Sequence, residues 1–233
     1  MTTTRRIGTF GYWTLTTVLF VAGAAMLVWY TPEERTMGQV QKIFYFHMPV
    51  AINTFVACFI CFLASGAYLF QRRQKWDDLA VSSARVALLL CSLVLLTGMI
   101  WGRSYWGVWW TWSPRLTFSL ALWLLYAVYL IIRPSIPSRE RRAFISAVYA
   151  VVAFLDVPLV YLSVRLMPDI HPTQVTLEPA MKLTLMFWFL PVTMLSLGLI
   201  AACYARQRRA GRPEVAADTD IVLPALRSVG GAS

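Results

Sequence analysis

The sequence predicts an all-α polytopic membrane protein with six transmembrane helices and both termini in the cytoplasm, and three observations carry that expectation. Composition comes first: 58% of residues are hydrophobic, 14% are charged and mean hydropathy is +0.60, which excludes a water-soluble domain of this length. Second, six apolar stretches are each long enough, at roughly 17 to 25 residues, to cross about 30 Å of hydrocarbon as helices. Nothing alternates with a two-residue period, and an open sheet in lipid would strand its backbone polar groups. Third, 15 of the 21 Lys and Arg residues fall at the termini and in alternate connections, which the positive-inside rule assigns to the cytoplasm. The net charge of +10 therefore reads as topogenic charge between apolar runs, which argues against nucleic acid as a partner.

The first span is placed near Gly11 to Tyr30. Arg5 and Arg6 before it, and Ala22, Gly23 and Ala24 within it, resemble a signal peptide with a small-residue cleavage site. The apolar run continues through Trp29 to Tyr30, longer than a signal core, so a retained helix is expected. The second span runs from Pro49 to Phe70, with Pro49 suited to a first helical turn and His47 in the loop before it. The third runs from Leu79 to Trp101, the fourth from Leu116 to Ile132, the fifth from Ala143 to Leu162 and the sixth from Met181 to Tyr204. Residues 1–205 thus form one transmembrane domain, and residues 206–233 read as a mobile cytoplasmic tail.

Between the third and fourth spans lies TGMIWGRSYWGVWWTWSPRLTFSL, Thr97 to Leu120, which holds half of the ten tryptophans. Trp101 and Trp112 suit an interfacial aromatic belt. Trp106, Trp109 and Trp110 stand at i, i+3, i+4, a stripe on one face of a short surface helix limited by Gly102, Gly107 and Pro114. Periodicity alone leaves a ligand platform and plain anchoring both open. Arg103 and Arg115, the charges of this stretch, can meet ligand carboxylates in bidentate fashion or lipid headgroups.

The two histidines of the chain, His47 and His171, fall in connections on the same face as the tryptophans. A lone boundary histidine is commonly a structural residue, whereas two on one face with an aromatic shelf suit axial ligation of haem iron. Zinc would need further ligands, for which few acids are at hand. Asp156, inside the fifth span and two residues before Pro158, is an intramembrane ionisable group open to either a structural or a ligand-handling role. Cys58, Cys61, Cys91 and Cys203 all lie in spans and read as small apolar side chains. The Cys58–Cys61 CxxC is followed by Phe62, so it is not a covalent haem-attachment motif.

Three segments, KIFYFHMPVA around His47, TGMIWGRSYWGVWWTWSPRLT, and LDVPLVYLSVRLMPDIHP leading to His171, resemble the CcmC branch of the cytochrome c maturation proteins, over roughly Gln41 to Phe189. That resemblance implies a non-enzymatic membrane protein of the bacterial inner membrane that binds haem b non-covalently at its outer face. His47 and His171 match the axial ligands, and Trp101, Trp106, Trp109, Trp110 and Trp112 the porphyrin shelf. It also implies handover to a periplasmic haem chaperone, in complex with ABC-type transporter subunits and a small membrane subunit. Three departures bear on the pocket: Ser113 stands where an Asp is usual, Leu166 and Met167 replace a tryptophan pair, and Ile52 replaces a Trp after the first histidine. The alternatives are an electron-transfer cytochrome subunit, or a structural or permease subunit with an anchoring belt.

Overall fold

Two long helices packed along most of their length make the centre of the molecule. The computed structural model describes residues 3–166 and 176–210. The helices are α1 (Thr3–Ala25), α2 (Lys42–Gln71), α3 (Gln74–Trp106), α4 (Pro114–Ile132), α5 (Arg139–Ala153), α6 (Asp156–Leu166) and α7 (Pro179–Ala210). A π turn, Met26–Tyr30, prolongs α1, and a 3-10 turn, Gln39–Gln41, leads into α2. Among the described residues, six stretches are long and apolar enough to cross a membrane, one of them, Arg139–Ser163, assembled from α5 and α6. The six expected spans are therefore present, and the chain is a multi-pass membrane protein.

Small residues let α2 and α3 approach closely. Ala57, Cys58, Cys61 and Ala64 on α2, and Ala80, Ala84 and Ala87 on α3, are all buried, the composition that favours close contact where lipid supplies no hydrophobic drive. The turn between them is short because Arg72 takes the left-handed conformation (φ 53°) and its amide donates to the Tyr68 carbonyl at 2.8 Å. Helix α5 presents Ala143, Ser146, Ala147, Ala150 and Ala153, a buried small-residue stripe, to the rest of the bundle. α1 lies against α7 at the periphery, where Gly198 leaves room for the Tyr12 ring and Gly23 for Trp188. A Cβ at Gly198 would stand 2.7 Å from Tyr12 Cε1.

Ion pairs mark one end of the bundle. Arg133, just past α4, donates to both oxygens of Asp77 on α3, at 2.8 and 2.7 Å, and the pair is buried. Asp78, 1% exposed, faces Arg139 of α5 at 3.9 Å and Arg208 of α7 at 3.8 Å. At the other end the connection 31–41 is held by Glu34, whose carboxylate accepts from the Thr36 amide at 2.7 Å and from the Thr36 hydroxyl at 2.6 Å. The Thr36 hydroxyl first, then the Met37 amide, holds the Glu34 carboxyl below the usual carboxylate range.

Several elements differ from the sequence expectation. Pro49 is inside α2, not in its first turn, so His47 stands on the helix and not in a loop. The fifth span is broken: α5 ends at Ala153, and α6 begins at Asp156 with Pro158, which has no amide to donate, in its first turn. The last helix continues to Ala210, past the expected end of the sixth span at Tyr204. His171, and the part of the 206–233 tail beyond Ala210, lie outside the described residues.

Candidate functional site

α3 carries the tryptophan segment up to its own end and then releases it. The helix includes Trp101 and Trp106, and stops at Gly107, whose φ of 77° is a left-handed cap that glycine adopts without a Cβ penalty. Gly102 lets the chain return close by, since a Cβ there would lie 3.2 Å from the Val108 carbonyl oxygen. Residues 108–113 have no regular structure before Pro114 opens α4. The expected surface helix with Trp106, Trp109 and Trp110 as a stripe is thus not formed: Trp106 ends α3, and Trp109 and Trp110 are on the returning loop.

This loop roofs a cavity of about 440 Å³ at the end of the bundle away from the Asp77–Arg133 pair. Its wall includes His47 of α2, Trp101 and Trp106 of α3, Trp109 and Trp110 of the loop, and Arg115 of α4. Along α2 it extends from Phe44 to Phe55, about 16 Å of helix. The cavity therefore reaches from the tryptophan loop into the depth of a transmembrane span. Volume and an apolar wall with few polar groups are those of a small-molecule or cofactor site.

His47 is held from two sides. Its ring centroid lies 5.9 Å from that of Trp101, at 69°, and its Nδ1 is 2.8 Å from Thr97 Oγ1. The Thr97 hydroxyl already donates its proton to the Leu93 carbonyl at 2.7 Å. A hydroxyl has one proton, so the contact to His47 is one that Thr97 accepts, from an Nδ1–H. The imidazole lone pair then resides on Nε2, the state in which a histidine ligates iron, with a second hydrogen bond fixing the ring.

The remaining expected residues fall in different places. Trp112 is 74% exposed and does not line the cavity; it meets Trp110 edge-on at 5.8 Å, so its placement suits the interfacial belt. Arg103 is also outside the wall: it donates to the Gly107 carbonyl and its guanidinium lies 6.0 Å from the Trp109 ring centre, which braces the loop. Asp156 is 8% exposed, does not line the cavity, and its Oδ2 has no hydrogen-bond partner among the described residues. The cavity also takes in residues not singled out from the sequence, among them Tyr161 and Arg165 of α6. Arg165 stands four residues after Tyr161, the helical spacing for a side-chain pair, and that spacing was the available signal.

Fold and cavity define a polytopic membrane protein with an aromatic, histidine-bearing site at one end. The Heme exporter protein C family model matches residues 2–218, and the chain belongs to that family. It is 33% identical over 139 residues to the Heme exporter protein C of Paracoccus denitrificans, covering 57% of this chain and 58% of that protein. Similarity to the Heme exporter protein C of Haemophilus influenzae is 27% over 157 residues, 67% of this chain and 64% of the relative. For that of Escherichia coli K12 it is 26% over 158 residues, 66% and 64%. In each case the match spans less than two thirds of the relative's length.

Proposed function

We propose that this protein binds haem b in the cavity beneath the tryptophan loop, without covalent attachment, and passes it on during cytochrome c maturation. The observation that carries the proposal is the place of His47: a ring with its Nδ1 2.8 Å from Thr97 Oγ1, on the wall of an aromatic cavity. The wall chemistry fits the group. Trp101, Trp106, Trp109 and Trp110 supply apolar surface for a flat macrocycle, and Arg115 supplies a cation for an acidic edge. His171 is the second axial ligand by its match to the family pattern, and two imidazoles hold iron in a six-coordinate state. Haem supplies the iron and its redox chemistry; the chain's residues bind, orient and shield it.

The positive-inside rule puts the ion-paired end in the cytoplasm and the cavity at the outer face of a bacterial inner membrane. From there haem goes to a periplasmic haem chaperone, with ABC-type transporter subunits and a small membrane subunit as partners. The protein acts by cofactor transfer and not by catalysis. Absorption spectra of the purified full chain supplied with haem test this. A six-coordinate spectrum that weakens in His47→Ala and in His171→Ala is expected. A wild-type protein that remains haem-free would overturn the proposal.

A further inference from the structure

Met48, Ile52, Phe55, Phe59 and Phe62 recur every three or four residues along α2 and so share one face of that helix. The fifth span covers the inner half of this stripe: Phe154, just past α5, stacks on Phe62 at 4.5 Å and meets Phe59 at 5.9 Å. After the break that precedes Asp156 the span changes neighbour. α5 packs on α2, whereas α6 packs on α4 and makes little contact with α2. The outer half of the stripe is left between the cavity and the exterior: Met48 and Ile52 both line the cavity, yet each is 37% exposed. Across the gap, Tyr161 of α6 also lines the cavity and is exposed.

We infer that the gap between α2 and α6 is a portal that opens sideways into the lipid, through which the porphyrin passes between the bilayer and the cavity. Ile52 stands about 15 Å along α2 from Lys42, a depth at which lipid chains and not water surround the helix. Neither rim, residues 48–59 on α2 or 157–162 on α6, carries a charged side chain, so an apolar ring meets no polar barrier there. A planar macrocycle needs a slit and not a round hole, and Met48 on one rim is an unbranched side chain that can move aside for it. The Phe154 contact with Phe59 and Phe62 closes the slit on its inner side, so the opening leads to the level of the cavity and no deeper. This rests on the haem reading above, and deepens it by giving the ligand a route.

The test follows haem loading and release by stopped-flow absorption, on the full chain in lipid nanodiscs. A barrier on the route slows both directions by one factor, whereas a changed wall contact acts mainly on release. Ile52→Trp, which sets an indole in the gap, is expected to slow loading and release alike by about tenfold, and Ile52→Ala to speed both. Should Ile52→Trp fail to insert in the membrane, Ile52→Ala decides by itself. Loading at the wild-type rate in the variants, or a change in release alone, overturns the portal. Slower loading in Val108→Trp, on the exposed roof of the cavity, with Ile52→Trp loading at the wild-type rate would move entry to the loop and overturn it as well. Each of these results leaves haem binding intact; a wild-type chain that takes up no haem overturns the haem reading itself.

Discussion

Replacing Thr97 by Val removes one oxygen from the site and nothing of its volume. In the wild type, Thr97 Oγ1 donates to Leu93 O at 2.7 Å and accepts from His47 Nδ1 at 2.8 Å. In the variant the carbonyl keeps its helical bond, while Nδ1–H loses its acceptor. An unmet donor in a desolvated setting costs about 1 to 3 kcal/mol. The ring can escape that cost by shifting its proton to Nε2, the nitrogen needed for iron, or by rotating away. Either route weakens ligation, and loss of such an outer partner lowers metal affinity by about 10- to 100-fold. The assay is a spectroscopic haem titration of the purified protein, with Thr97→Ser as the control that restores the hydroxyl. Unchanged affinity and an unchanged six-coordinate spectrum in Thr97→Val would refute the assignment of the His47 tautomer.

Three other perturbations probe the frame around the cavity. Arg133→Ala leaves Asp77 buried with its bidentate partner gone, so a loss of about 3 to 5 kcal/mol is expected in unfolding measurements, against a small change if the pair is incidental. Gly198→Val pushes a side chain into the Tyr12 ring, which a Cβ alone would meet at 2.7 Å; α1 should loosen from α7 at a cost of about 1 to 3 kcal/mol, visible as faster cleavage of the α1 connection by protease. Because the folded Glu34 carboxyl is held below its usual value, its contribution is present above the ordinary carboxylate range and disappears as pH falls through the lowered value. The protection of the Thr36 and Met37 amides, measured against their intrinsic exchange rates, should therefore fall as pH drops through that lowered value, with no such change in Glu34→Gln.

The number of spans was legible because hydropathy over a bilayer's thickness is a strong signal that depends on no tertiary contact. The grouping of Trp101, Trp106, Trp109 and Trp110 was legible too, as the tryptophans are near one another in sequence. Their geometry was not. Spacing of i, i+3, i+4 suggests a helix, but Gly107 at φ 77° ends α3 between the first and the other two. Pro49 misled in a similar way: it fits a helix start, yet within α2 it costs one hydrogen bond, and Asn53 Nδ2 donates back to the Pro49 carbonyl at 2.9 Å. Thr97 could not be found as the partner of His47, since the two are 50 residues apart and meet only through the register of α2 against α3. Asp77 and Asp78 look like ordinary acids near a basic surface; only the convergence of α3, α4, α5 and α7 makes them the buried centre of an ion-pair cluster. Arg103 and Arg115 are equivalent in composition, but the turn at Gly107 directs one to brace the loop and the other to the cavity.

The most direct test is a structure of the haem-loaded full chain, determined by electron cryomicroscopy in a lipid nanodisc. The account predicts the porphyrin beneath the loop of Trp109 and Trp110, with its iron bound to a ring nitrogen of His47. A porphyrin lodged elsewhere, or in the cavity with iron held by groups other than His47, would contradict it.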